Sequence, residues 1–262
     1  MKSTKPSAVP TPISQATGPA SLLDMMPGRS KQVFKQWLKA RPKDWRDGID
    51  LVAMDGFSGF KTASVEELPE AVEVMDPFHV VKLAGDALDD VRRRIQQETT
   101  GHRGRATNPL YRARRTLRTG ADLLTPKQQE RTASLFADSS FTEFEVTWAV
   151  YQDIVNAYRT ADYNEGEKLL RTVIDVLTTN LPTGLVELRR LGRTLKRRAA
   201  VVLAFFTRLG TSNGPTQAIT MAGSSICGDL GWGSVTSLTT SPGVCPSPGY
   251  SDRFYIPRYD EL

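Results

Sequence analysis

Two acids stand where an α/β sheet gathers ligands. Ile49 to Met54 is a short apolar run that ends at Asp55-Gly56, and residues 71–75 form a second that ends at Asp76-Pro77. Both runs are bounded by Asp, Gly or Pro, which is how buried strands of an α/β sheet read. In open α/β sheets the carboxyl ends of the strands are where ligand and metal groups collect. Carboxylates there suit a hard cation such as magnesium, and paired magnesium ions serve phosphoryl transfer on nucleic acids. His79 follows Asp76 within one helical turn, close enough to hydrogen-bond it or to buttress a neighbouring ligand.

Each of these residues also has a purely structural reading. Asp-Gly is a common turn dipeptide, so Asp55-Gly56 fits a turn as well as a ligand. Asp is a favoured helix N-cap and Pro is tolerated at the first helical position, so Asp76-Pro77 reads equally as a helix start. Neither reading excludes the other. Two basic segments offer a different chemistry. Arg103, Arg105, Arg112, Arg114, Arg115 and Arg118 form one; Arg189, Arg190, Arg193, Lys196, Arg197 and Arg198 place six cations within ten positions. Such residues contact nucleic-acid phosphates by releasing counterions, or they form a solvated helix face. No phosphate-binding Gly loop, His-Glu-x-x-His helix or Gly-x-Ser-x-Gly elbow occurs, and His79 and His102 leave little material for a histidine-based triad.

The elements that must position these residues are legible. Ser30 is a good N-cap, and Val33, Phe34, Trp37 and Leu38 follow at helical spacing until Pro42. Ser64 to Glu67 has the form of a capping box and predicts a short helix starting there, between the two strands. Beyond Asp76, Val81, Ala84, Leu88, Val91 and Ile95 recur at steps of three and four, with Arg92, Arg93 and Arg94 on the other faces and Gly101 and Gly104 as the end. Residues 108–208 read as helical throughout. Their two apolar stripes, Phe144, Trp148, Tyr151, Val155 and Tyr158, and Leu188, Leu191, Leu195, Ala199, Val202 and Phe206, are expected to pack against each other.

The 262 residues are 39% hydrophobic and 24% charged, enough for one α/β domain carrying a large all-α insertion. Lys and Arg number 34 against 29 acids, a net charge of +5 that suits a polyanion partner. No apolar run approaches the ~20 residues needed to span a bilayer, which points to a cytoplasmic chain without a membrane partner. Cys227 and Cys245 form no Cys-x-x-Cys pattern, so neither a zinc site nor a disulfide framework is expected.

Six ordered blocks resemble the ISL-three family of bacterial insertion-sequence DDE transposases. They are Leu22-Leu-Asp-Met-Met-Pro-Gly-Arg-Ser-Lys31, Met54-Asp55-Gly-Phe, Asp76-Pro-Phe-His79-Val-Val-Lys, Gly101-His-Arg-Gly-Arg105, Leu191-Gly-Arg-Thr-Leu-Lys196 and Thr211-Ser-Asn-Gly-Pro-Thr216. The resemblance implies a ribonuclease-H-like fold interrupted by a helical insertion, magnesium as cofactor, and DNA as substrate. Asp55 matches the second catalytic Asp and is assigned as a magnesium ligand. Asp76 and His79 match a Cys/Asp-x-x-His signature on the next strand, and Asp76 is the alternative ligand.

The departures are equally specific. Gln217 stands where the family has its catalytic Glu; an amide offers magnesium an oxygen without charge. Residues 1–20 are rich in Pro, Ser and Thr, without the strand expected to bear the first Asp or the family's zinc ribbon and helix-turn-helix. After Ile219 the sequence turns rich in Gly, Ser and Pro, and 223–230 can be encoded so that a shifted frame reads Arg-Leu-Glu-His-Leu-Arg-Gly, as the family does. These features predict a disordered leader (1–21), a partial catalytic core (22–100), a helical insertion (101–210), a remnant of the final catalytic helix (211–219) and a frameshifted, disordered tail (220–262). The expectation is an inactive transposase fragment that still binds DNA, nucleoid-associated when bound. Its alternative is a non-catalytic DNA-binding or partner-binding protein that interferes with a full-length transposase or pairs with a second copy.

Overall fold

A computed structural model describes residues 30–54, 58–179 and 181–208, and the backbone of 237–240. The described residues fall into two compact units, divided after Asp76. The first opens with helix α1 (Lys31–Lys39), capped as its sequence predicts: Ser30 Oγ accepts from the Val33 N–H at 3.2 Å. Leu38 on α1 is fully buried, and Phe34 stacks near Trp37 with centroids 6.3 Å apart. A short helix α2 (Lys43–Asp47) leads into strand β1 (Ile49–Met54). Every β1 residue except Asp50 is buried, which is why the run is apolar on both faces rather than alternating.

Helix α3 (Ser58–Glu67) crosses over to strand β2 (Val72–Met75), which pairs with β1 in parallel from Leu51↔Val72 to Met54↔Met75. A third strand, β3 (Ser237–Thr240), lies antiparallel on the other side of β1, giving the order β2-β1-β3. It falls within the segment expected to carry no regular structure. Leu38, Ile49, Val52, Met54 and Leu68 form the core of this unit, with Phe34, Trp37, Trp45 and Ala71 packed around them.

The expected helix start at Ser64 is corrected by α3, which begins six residues earlier and has Ser64 in its interior. Phe60, Ala63, Ser64 and Glu67 are all buried, at helical steps of three and four, so burial of this face outweighs the capping preference of Ser64. Its hydroxyl lacks a hydrogen-bond partner. Glu67 does not reach back to a cap but receives Arg46 Nη1 at 3.2 Å.

The second unit is helical. Helix α4 (Pro77–Thr100) buries Val81, Ala84, Leu88, Val91 and Ile95 as the periodicity predicts, and Gly101 follows it at φ 72°. The expected boundary after residue 100 lies at the far end of α4, whereas the units divide before its first residue. Arg92, expected with Arg93 and Arg94 on the faces other than the apolar stripe, is itself buried. It is 5% exposed, and its Nη1 donates to buried Gln96 Oε1 at 2.6 Å. The chain continues through α5 (Pro109–Ala113), α6 (Pro126–Phe136), α7 (Thr142–Arg159), α8 (Tyr163–Thr179), α9 (Val186–Arg197) and α10 (Ala199–Thr207).

The two apolar stripes do not meet along their lengths. α7 packs on α4 and α8, and α9 packs on α8 and α4, so α8 stands between the stripes. Short links force consecutive helices to be neighbours, and Leu170, Val173, Ile174 and Leu177 give α8 a buried face of its own. The stripes touch at one end, where Tyr158 stacks on Phe206 with centroids 5.3 Å apart at 15°. Gly192 lets α9 approach α8: a Cβ there would lie 2.6 Å from the Leu177 carbonyl oxygen.

Candidate nucleic-acid interface and strand-end acids

At the sheet, parallel pairing aligns the carboxyl ends of β1 and β2. The Asp76 N–H donates to the Met54 carbonyl at 3.1 Å, extending the ladder one residue past Met75. Asp76 is 2% exposed and directly precedes Pro77, so it holds the N-cap position of α4 with Pro at N1. His79 is half-buried in the first turn of α4. Asp55 and Gln217 lie outside the described residues. Among the described residues no three His, Cys, Asp or Glu side chains come together to hold a metal ion. The strand-end acid they contribute, Asp76, falls short of the oxygen-rich set magnesium requires, so no step through a metal is derived.

Glu73, on β2 immediately before Val74, is a half-buried carboxyl. Burial holds it above its ordinary pKa against the opposing pull of Lys61, whose Nζ lies 3.8 Å away. Its Oε1 lacks a hydrogen-bond partner. Side chains alternate along a strand, so Glu73 faces away from the side taken by Asp76.

The basic segments are better defined. On α9, Leu188, Leu191 and Leu195 are buried, while Arg190, Arg193, Lys196 and Arg197 are exposed on the opposite side. Arg193, Lys196 and Arg197 make no ion pair among the described residues. Arg189 instead donates to the Leu181 and Pro182 carbonyls at 3.3 and 3.1 Å, fixing the turn before α9. Arg190 pairs with Asp90 of α4. Burial, aided by neighbouring Arg197, lowers the Arg198 guanidinium below its ordinary value.

The earlier basic segment divides in the same way. Arg114 stacks 4.1 Å above the Tyr111 ring and Arg118 bonds Asp89 at 2.8 Å, whereas Arg103, Arg105, Arg112 and Arg115 are exposed. A buried polar chain fixes the loop that carries Arg103 and Arg105: Arg92 to Gln96, then Gln96 Nε2 to Asn108 Oδ1 at 2.7 Å, with Asn108 capping α5 through the Tyr111 N–H. Gly104 in this loop has φ 120°, and a Cβ there would lie 2.7 Å from the Tyr111 ring. That network escaped the sequence reading; the Asn108-Pro109 pair, a helix-start signature, was its one local signal.

A cleft of about 480 Å³ joins the two segments, lined by α4, the 101–105 loop and α9, with Arg93, Arg94, Arg103 and Arg190 on its walls. Among the described residues no helix is long and apolar enough to cross a membrane.

The family model for ISL-three DDE proteins, described as a transposase, matches residues 3–222, and the chain belongs to this transposase family. No curated protein and no solved structure matches it.

Proposed function

We propose that this transposase-family chain binds DNA through its helical unit without cutting it. One observation carries the reading: within a transposase-family chain, Arg193, Lys196 and Arg197 stand exposed opposite the buried leucines of α9, with no ion pair among the described residues. Side chains so placed supply sequence-independent phosphate contacts. Phosphate contacts alone give weak affinity, on the order of 10⁻⁴ to 10⁻⁶ M near physiological salt.

In the same reading, β1, α3 and β2 belong to a ribonuclease-H-like core spanning residues 22–100, 101–210 is its insertion, and the sequence after Ile219 has left the family's frame. Asp55, Asp76 and His79 are the remnants of a magnesium-dependent strand-transfer site whose Glu is replaced by Gln217. An amide at that position withholds the charge that a carboxylate would give a divalent cation. The test combines binding and cleavage. Duplex DNA should shift the anisotropy of a labelled probe, increasingly so at low salt, while supercoiled plasmid with magnesium stays intact. Nicking that disappears in Asp55→Ala would overturn the inactive reading; absence of any salt-sensitive binding would overturn the DNA reading.

A further inference from the structure

The cleft between α4 and α9 has an unusual balance of charge. Arg93, Arg94, Arg103 and Arg190 line it together with Asp90, Glu98 and Glu187. Two of the three acids are already committed to Arg94. Its Nε donates to Glu187 Oε1 at 2.8 Å, its Nη1 lies 3.5 Å from Glu98 Oε2, and its Nη2 also holds Glu143 at 2.8 Å. Arg94 is therefore a fixed, neutralised floor. The remaining acid, Asp90, is shared by two of the other three wall arginines: Arg190 pairs with it from α9, and Arg93 Nη1 lies 3.5 Å from its Oδ1 while Arg93 Nη2 lies 3.8 Å from Asp89 Oδ2. Arg103 has no ion pair among the described residues. Asp90 thus stands between guanidinium groups of α4 and α9, with Arg103 of the 101–105 loop lining the same cleft.

We propose that this cleft seats a backbone phosphate of nucleic acid, and that Asp90 is the internal anion the phosphate displaces. This rests on the DNA-binding reading above and assigns it a point of anchorage. Arg93, Asp90 and Arg190 form exposed pairs, with side chains between 39% and 61% accessible, and exposed pairs are weakly held. A phosphate offers guanidinium groups the bidentate geometry they favour and carries no strap of covalent chain to restrict it. The row of cations also continues beyond the cleft. Arg190, Arg193 and Arg197 follow at steps of three and four along one exposed face of α9, a run of roughly 10 Å. That length spans about three phosphates at ~3.4 Å of axial rise per strand, which a compact free anion would leave unused.

The test is the salt dependence of duplex binding by the full 262-residue chain, read as anisotropy of a labelled 20–30 base-pair probe. Asp90→Asn should bind several-fold more tightly and steepen the log–log salt slope by about one unit, so that its affinity falls roughly 3.5-fold more than wild type between 50 and 200 mM salt. Asp175→Asn, an equal change of charge on an exposed part of α8, should do neither. The gain from Asp90→Asn should vanish when Arg93 and Arg190 are also replaced by Gln, in variants whose helical circular dichroism matches wild type. If DNA binds but Asp90→Asn behaves like Asp175→Asn, the cleft assignment fails while the DNA reading stands. If neither wild type nor Asp90→Asn binds DNA, both fail. If inorganic phosphate binds Asp90→Asn while the DNA slope is unchanged, the cleft takes a free anion and the nucleic-acid assignment is overturned.

Discussion

Arg94 Nε donates to Glu187 Oε1 at 2.8 Å, joining α4 to α9 across 93 positions of sequence. Glu187 is 9% exposed, and burial, the largest single influence, would raise its pKa; the Arg94 hydrogen bond, a backbone hydrogen bond and the nearby Arg94 and Arg190 charges together outweigh it and leave the carboxyl lowered. The guanidinium is correspondingly raised, first by Glu187. Charged hydrogen bonds of this kind contribute roughly 1.5–3 kcal/mol, more than exposed pairs do.

Arg94→Met should therefore destabilise the chain by roughly 1.5–3 kcal/mol in urea denaturation, because Glu187 is left without its partner. Glu187→Gln should cost less, since Arg94 keeps Glu143 and the Gly184 carbonyl. The pH dependence has a definite sign. Glu187 has a depressed folded-state pKa, so its contribution is present above the ordinary value of 4.5 and is lost as pH falls through the lower folded value. Equal costs for the two variants would show that Glu143 does not share the load.

Glu66 at the end of α3 makes a second pH-sensitive contact. Hydrogen bonds from Lys31 and then Lys35 of α1 lower its pKa to about 2 from 4.5. The sign is the same as for Glu187: the contribution is complete above 4.5 and disappears as pH falls through about 2. Thermal midpoints of wild type and Glu66→Gln should differ at pH 6, converge between 4.5 and 2, and differ less in high salt because the pairs are exposed. A difference that persists unchanged at pH 2 would assign the effect to packing instead.

What the sequence made legible is what depends on near neighbours. Ser30 caps α1 through a residue three positions away, and Ile49–Met54 reads as a strand because both of its faces are buried. What was illegible depends on distant partners. Ser64 has the residue types of a capping box, yet its face of α3 is buried, and tertiary burial decides. Arg92 reads as a surface cation until Gln96 and Asn108 enclose it. The six cations of 189–198 are alike in sequence, but Leu181, Pro182 and Asp90 engage Arg189 and Arg190 and leave Arg193, Lys196 and Arg197 open. The strand-end acids follow the same rule in part: Asp76 is buried beside Met54, while Asp55 and Gln217 fall outside the described residues.

Gly192→Ala should weaken the α8–α9 contact. The added Cβ would meet the Leu177 carbonyl oxygen at 2.6 Å and Leu177 Cβ at 2.7 Å, and backbone cannot swing aside as a flexible side chain can. Overpacking of this kind costs typically 1–3 kcal/mol, against the helix-propensity gain of about 1 kcal/mol from replacing Gly. The midpoint of urea unfolding should fall. A rise would mean that the helices separate at little cost and that propensity wins.

The basic face of α9 makes the last prediction. Arg193, Lys196 and Arg197 are exposed, lie opposite Leu188, Leu191 and Leu195, and form no ion pair among the described residues, so replacing all three by Gln removes charge without breaking a pair. Stability should change little, because surface substitutions away from specific contacts usually stay within about 0.5 kcal/mol. DNA affinity should fall and the log–log salt slope should flatten by about 2.7 units if each side chain contacts one phosphate. A loss of affinity with an unchanged slope would point to a bent or displaced α9, which circular dichroism and the urea midpoint would expose. Unchanged affinity and slope in a folded triple variant would make this a solvated helix face, and DNA contact would have to be sought at Arg103, Arg105, Arg112 and Arg115 instead.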